Sequence, residues 1–148
     1  MKLDAKQIKN HFIHLRGTGT RTLTTTYSTA NLTTIIADSG TVFTQAGGVV
    51  TYTGEGGFVE VTYTATGDSG NNTRSVMKSL LAKNNTNDIS TERFSYHRQT
   101  ADGEGSVAYT GIFPIATNDN FRILNAEVTT GDNVVQSLEK TSLQIKLI

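Results

Sequence analysis

The sequence contains no cysteine and no tryptophan, and only one of its 148 residues is proline. The absence of cysteine excludes disulfide bonds, thiol catalysis and zinc sites with cysteine ligands. A chain of this length is expected to form one domain. It can bury enough apolar surface to fold without a metal ion or a cross-link.

Charge is also scarce. Charged residues make up 18% of the chain, and 13 basic side chains balance 13 acidic ones, so the formal net charge is zero. This composition lacks the basic footprint of a nucleic-acid-binding protein. No apolar run approaches the ~18 residues of a membrane span, and no signal-peptide pattern follows Met1. We therefore expect no nucleic-acid partner, no membrane partner, and synthesis in a host cytoplasm.

Threonine is abundant, with 25 residues. Threonine is β-branched and suits the half-exposed face of a pleated sheet. A neutral, threonine-rich surface repels identical copies little, which favours self-association. The alternative is that threonine simply fills the outer faces of strands.

From Thr20 onward, segments rich in Thr, Val, Ile, Tyr and Phe alternate with clusters of Gly, Asn, Asp and Ser. This pattern predicts an all-β jelly-roll sandwich of about 8–10 antiparallel strands. An immunoglobulin-type sandwich is the alternative, although its Cys…Trp…Cys signature is missing. Period-two alternation, clearest in residues 58–66 and 107–115, predicts a set of buried side chains. The predicted core residues are Val59, Val61, Tyr63, Val107, Tyr109, Phe113, Ile123 and Leu143.

Residues 1–19 differ from the rest of the chain. We therefore divide the sequence into an arm (1–19) and a jelly-roll domain (20–148). Ile8, Phe12 and Leu15 follow the i, i+4, i+7 spacing of an amphipathic helix. A strand through His11, Ile13 and Leu15 is the alternative. With Lys6 and Lys9, the apolar residues of the arm form a candidate anchor for a partner protein.

The chain offers little for catalysis. The sequence has no Gly-x-Ser-x-Gly elbow of a hydrolase. His11 and His14 have no third ligand nearby, and His97 is expected to have a structural role. Five acidic residues lie in predicted turns: Asp68, Asp102, Glu104, Asp119 and Asp132. Acidic residues in turns commonly accept local hydrogen bonds, and the sequence lacks the ligand spacing of a dedicated calcium loop. We therefore predict no enzyme activity, no catalytic or metal site and no cofactor.

The order of segments resembles the tumour necrosis factor and complement globular-head superfamily. Residues 57–63, Gly-Phe-Val-Glu-Val-Thr-Tyr, resemble its central strand, and 74–82 followed by Lys-Asn-Asn-Thr (83–86) resemble its next strand and turn. Residues 115–123 resemble a Leu-x-x-Gly-Asp-x-hydrophobic segment, and 142–148 its last strand. Asn85 and Asn118 stand where the family has glycine. The resemblance covers roughly residues 40–148 and implies a ten-strand jelly roll that assembles as a homotrimer.

Modules of this kind also occur on phage particles. The expected function is therefore that of a phage virion protein, a capsid decoration protein at the virion surface that binds itself and the major capsid protein or another virion protein. The alternatives are a receptor-binding tip of a tail fibre or spike, and a carbohydrate-binding module. A host surface glycan is a further candidate partner.

Overall fold

The computed structural model describes residues 11–40, 42–71, 73–98 and 103–148, and these residues form two packed antiparallel sheets. The first sheet has six strands: β1 (Phe12–Arg16), β2 (Thr20–Thr22), β4 (Thr34–Asp38), β7 (Gly57–Ser69), β10 (Gly105–Ile115) and β12 (Val134–Leu147). The second sheet also has six: β3 (Ser28–Thr29), β5 (Phe43–Ala46), β6 (Val49–Tyr52), β8 (Ser75–Lys83), β9 (Thr86–His97) and β11 (Asn120–Glu127).

The strand order is that of a jelly roll. The first sheet runs β10-β7-β12-β1-β4 with β2 on β12, and the second runs β5-β6-β11-β8-β9 with β3 on β11. The chain passes repeatedly from one sheet to the other, as from β7 to β8 and from β11 to β12. The all-β jelly-roll prediction is confirmed.

The core lies between the sheets and contains alternate residues of each strand. Five of the predicted core side chains are fully buried: Val59, Val61, Tyr63, Ile123 and Leu143. The other three, Val107, Tyr109 and Phe113, are only half-buried against this core. They belong to β10, which is an edge strand, so one flank of each side chain lacks a neighbouring strand. The two rings among them continue the core outward: Tyr109 stacks on Tyr63 with a centroid separation of 5.8 Å, and the ring centroids of Phe113 and Phe121 lie 5.7 Å apart.

The beginning of the described chain is a strand and not the helix that the 1–16 spacing predicted. Phe12–Arg16 pairs with β12 from Phe12↔Lys146 to Arg16↔Ser142. Ile13 and Leu15 are fully buried, as the strand alternative requires. Residues 12–16 thus form part of the sandwich, and the remainder of the predicted helix, residues 1–10, lies outside the described residues.

Asparagine forms two reversals where left-handed backbone is needed. Asn84 and Asn85 have φ values of 51° and 64° in the two-residue turn between β8 and β9. Asn118, before β11, has φ of 73°. Asparagine tolerates this region better than other residues with a side chain. The two positions where the family has glycine therefore keep a suitable backbone.

A buried polar junction connects the sheets near β2. The guanidinium of Arg21 donates hydrogen bonds to the side chain of Gln136 (2.7 Å), the carbonyl of Thr29 (2.6 Å) and the side chain of Asn125 (3.2 Å). Asn125 and Gln136 are fully buried. Asn125 also donates to the hydroxyl of Ser79 at 2.7 Å. Burial lowers the pKa of Arg21. We call this group the Arg21 junction.

Candidate interaction surface

The outer face of the first sheet is covered by paired hydroxyl groups. Hydrogen bonds link Thr62 to Thr110 (2.9 Å) and Thr64 to Ser142 (2.8 Å) across neighbouring strands. A third pair links Thr66 to Ser106 at 2.7 Å. Cross-strand hydroxyl pairs stabilise a sheet modestly and leave its surface uncharged. This hydroxyl ladder is the structural role of much of the threonine in β7 and β10.

One end of that face is apolar. Phe58 is 55% exposed, Ile112 is 62% exposed and Ile148 is 58% exposed. Phe58 lies opposite the exposed Pro114, and the amide of Ile148 donates to the carbonyl of Phe58 at 3.0 Å. Ile112 is two residues from Pro114 on the same face. We call Phe58, Ile112, Pro114 and Ile148 the apolar end.

The apolar end was not identified from the sequence, although a signal was present. In residues 107–115 the solvent-facing positions run Ala108, Thr110, Ile112 and Pro114. An isoleucine in that series departs from the alternation that the rest of β10 obeys. An apolar side chain on a predicted solvent face was the available indication of a contact surface.

The second sheet also exposes aromatic side chains. Phe94 and Tyr96 on the edge strand β9 are 57% and 60% exposed. Next to them, the ammonium group of Lys78 lies 4.7 Å from the ring centroid of Tyr27. This surface differs from the apolar end because a cation and a phenol border its exposed rings.

The two loops that carry the family resemblance contact each other. The carboxylate of Asp119 accepts hydrogen bonds from the side chain of Asn84 at 2.7 Å and from the amide of Ala116 at 2.9 Å. It also forms an ion pair with Lys83 at 2.9 Å. Slight burial opposes ionisation, but the hydrogen bonds from Asn84, Lys83 and Ala116 outweigh it and lower the pKa of Asp119 to about 2. We call this group the Asp119 clasp, and it explains why Asp119 is a structural residue.

His14 and His97 lie on different sheets and have different surroundings. His97 is fully buried, with its ring nitrogens 3.0 Å from the Ser95 hydroxyl and 3.2 Å from the Gly103 carbonyl. Burial lowers the pKa of His97, and the hydrogen bond to Gly103 and the charge of Asp68 oppose this only in part. His14 lies on the outer face, opposite Gln144. The structural role predicted for His97 is consistent with this geometry.

The acids predicted for turns occupy different environments. Asp132 accepts a hydrogen bond from the amide of Val76 at 3.2 Å. Glu104 forms an ion pair with Lys140 at 2.5 Å. Asp68 is not in a turn, because β7 extends through Ser69. Asp102 lies outside the described residues. The described part of the chain contains no group of three or more side chains able to hold a metal ion.

The two predicted anchor residues that the structure describes, Phe12 and Leu15, lie on opposite faces of β1. Leu15 is fully buried in the core, so it cannot contact a partner. Phe12 is half-buried on the outer face of the first sheet, opposite Lys146 and beside the apolar end. Ile8, Lys6 and Lys9 lie outside the described residues, so their role as an anchor stays a prediction. No helix within the described ranges is long and apolar enough to cross a membrane.

The comparisons with known proteins identify the fold. No protein-family model and no curated protein matches this sequence. Among solved structures, the crystal structure of murine APRIL at pH 8.5 superposes with a TM-score of 0.68 at 12% identity, covering 95% of this chain and all (100%) of that one. The structures of murine APRIL at pH 8.0 and pH 5.0 superpose with TM-scores of 0.58 and 0.57, each at 11% identity and the same coverage. The chain therefore has a tumour necrosis factor-like jelly-roll fold.

Proposed function

We propose that this chain is a non-enzymatic structural protein of a phage particle, a capsid decoration protein that self-associates as a homotrimer. The observation that carries the proposal is the apolar end, an exposed group of apolar side chains on the outer face of the first sheet. Contiguous exposed apolar surface rimmed by polar groups marks interaction sites. The charge balance of the chain, zero overall, leaves little repulsion between copies.

The geometry of this face supports packing of identical copies. The hydroxyl ladder is uncharged and already makes hydrogen bonds across the strands, so covering it with a partner buries no unpaired charge. Glu60 and Lys146, which lie opposite each other in register, also compensate one another in charge. A cyclic trimer uses two different patches on each copy and closes on itself. The apolar end would provide one of these patches.

The placement of His97 supports a non-enzymatic role. A general base must reach the proton that it removes. Both ring nitrogens of His97 already have partners inside the sandwich, which leaves no nitrogen for a substrate.

Light scattering of the purified protein tests self-association. We expect a mass about three times 16.0 kDa for the wild type. The double variant Phe58→Ser and Ile112→Ser should shift the mass to that of one chain, because it replaces two exposed anchors. The matched control is Phe94→Ser and Tyr96→Ser, which removes equally exposed rings from the other sheet and should leave the mass unchanged. A monomeric wild type at high concentration would contradict the proposal.

A pair of truncations tests binding to the capsid. Deleting residues 1–10 should preserve the melting temperature but abolish binding to particles depleted of the protein, since Ile8, Lys6 and Lys9 would be lost. Deleting 1–16 should unfold the domain, because it also removes β1 and the buried Ile13 and Leu15. Unchanged particle binding by the shorter truncation would overturn the anchor hypothesis.

A further inference from the structure

A cleft of about 340 Å³ lies on the outer face of the first sheet, at the opposite end from Phe58. Asp68 of β7, Val135 and Ser137 of β12 and Thr20 of β2 line it. Asp68 pairs with Val135, and Ser137 pairs with Thr20, so adjacent strands place these side chains side by side. The volume is at the lower end of the range for small-ligand sites.

An irregularity in β12 produces the concave shape. Ser137 pairs with Thr66 and Ser142 pairs with Thr64, so residues 138–141 lie opposite Ala65 alone. Leu138 turns inward and is only 7% exposed, while Lys140 turns outward to its ion pair with Glu104. The displaced segment and the ion pair form a wall above the flat sheet. Bulged strands re-aim side chains in this manner and are frequent near binding sites.

The cleft contains polar groups with free hydrogen-bonding capacity. One carboxylate oxygen of Asp68 accepts the amide of Ser69 at 2.7 Å, and the other has no partner among the described residues. The hydroxyls of Thr20 and Ser137 likewise bond to no described side chain, in contrast to the satisfied hydroxyl ladder beside them. Between these groups Val135 presents an apolar surface.

The charged, polar and apolar side chains of the cleft favour one chemical class of ligand. A phosphate or other anion is disfavoured, because the cleft has two carboxylates and its one ammonium group, that of Lys140, is already paired with Glu104. A resident divalent cation would need several oxygen ligands, and the described residues offer no group of three metal-ligating side chains. A neutral ring with hydroxyls on its edge and C–H groups on its face fits this set of groups. Its hydroxyls can hydrogen-bond to the carboxylate and to the two hydroxyls of the cleft, and its C–H face can pack against the aliphatic side chain.

We propose that this cleft binds one neutral sugar ring of a glycan, with Asp68 accepting hydrogen bonds from ring hydroxyls and Val135 packing against its C–H face. The site goes beyond self-association and does not depend on it. Ten residues of β7 separate Phe58 from Asp68, which at about 3.3 Å per residue is ~33 Å. Contacts at the apolar end therefore need not cover the cleft.

The experiment is a nuclear magnetic resonance titration of the full chain with the methyl pyranosides of glucose, galactose, mannose and N-acetylglucosamine. At least one sugar should shift the amide signals of Thr20, Asp68, Val135 and Ser137 in a saturable manner. Asp68→Asn should weaken that binding about tenfold or more, because it removes a charged acceptor while keeping the shape. Ser137→Ala should weaken it roughly threefold by removing one neutral hydroxyl.

The control is Glu55→Gln, which alters an exposed carboxylate outside the cleft and should bind as the wild type does. If none of the sugars shifts the cleft amides, or if Asp68→Asn, Ser137→Ala and Glu55→Gln all retain wild-type affinity, the proposal is overturned. Light scattering of the same samples separates this result from the oligomeric state. Sugar binding by a monomer would retain the cleft proposal and reject the homotrimer.

Discussion

The Arg21 junction and the Asp119 clasp both connect the two sheets, but they do so in opposite surroundings. Arg21 reaches buried amide and carbonyl oxygens and contacts no carboxylate among the described residues. The Asp119 clasp contains an ion pair, and Lys83 also donates to the Pro114 carbonyl at 2.6 Å, yet the partners Asn84, Pro114 and Ala116 are solvent-exposed. Water can replace a lost partner at the clasp but not at the junction. Burial, rather than formal charge, should therefore decide which contributes more to stability.

The largest expected effect is that of Arg21→Met. Methionine fills part of the space but donates no hydrogen bond, so Gln136, Asn125 and the Thr29 carbonyl lose a buried donor. We expect the free energy of unfolding to fall by about 3 kcal/mol. Urea denaturation measures it, with the exposed Arg16→Met as a control expected within about 0.5 kcal/mol. Equal effects at Arg21 and Arg16 would show that the buried contacts of the Arg21 junction add no stability.

A second variant tests whether the junction acts as one unit. Asn125→Ala should cost about 2 kcal/mol, because Asn125 accepts from Arg21 and Gln136 and donates to Ser79. Combined with Arg21→Met, the total loss should be smaller than the sum by about 1 kcal/mol, since both changes break the same contact. Strict additivity in the double-mutant cycle would show that the contacts are independent.

His97 is a buried group whose protonation makes the stability of the fold depend on pH. Its pKa in the folded chain lies below the ordinary value of 6.5, chiefly because of burial. Between the folded and the unfolded pKa of His97, the unfolded chain binds more protons than the folded chain. The contribution of neutral His97 to stability is therefore fully present above about pH 6.5 and decreases as the pH falls below it. Thermal melts from pH 8 to 5 should show this loss. The slope should be reduced in His97→Gln and retained in His14→Gln, and a slope that persists in His97→Gln would assign it to another group.

The smallest effect is expected at the clasp. Asp119→Asn should lower stability at pH 7 by about 1 kcal/mol, because the amide keeps an oxygen that can accept a hydrogen bond and the ion pair is partly screened by solvent. The pKa of Asp119 is about 2, below its ordinary 3.8, so the carboxylate stabilises the fold above pH 3.8 and loses this contribution as the pH falls toward 2. Denaturation of the wild type and the variant should therefore converge near pH 2. A loss comparable to that of Arg21→Met would contradict the comparison.

The extent to which the sequence predicts this fold depends on whether the determining contacts are local. The alternation in β7 and β10 predicted which side chains face inward, because period-two patterning is a local property. It did not predict the end of β7, which continues to Ser69, three residues beyond the predicted strand. Phe12–Arg16 was assigned to a helix because Ile8, Phe12 and Leu15 have helical spacing by coincidence. What makes it a strand is pairing with residues 142–146, and the local alternation of His11, Ile13 and Leu15 indicated that strand only as the alternative.

The candidate sites show the same dependence. Asp68 and Glu104 were recognised only as turn acids, since their meeting with Thr20 and Ser137 requires strands from four parts of the chain. The irregularity between Ser137 and Ser142 has no sequence signal as clear as a glycine or proline. In contrast, the positive φ of Asn84 and Asn118 follows from side chains that tolerate it, so these turns were predictable.

The position of β12 in the first sheet has a consequence for synthesis of the chain. β12 is the sheet partner of β1, β2 and β7, although it is synthesised after all three of them. Before it emerges from the ribosome, β1 and β2 lack that partner and β7 is paired on one side only, by β10. In the second sheet, β8 and β9 can pair as soon as both are synthesised, because they are consecutive strands of a hairpin. Chains that stop short of residue 134 should therefore expose unpaired strands and aggregate.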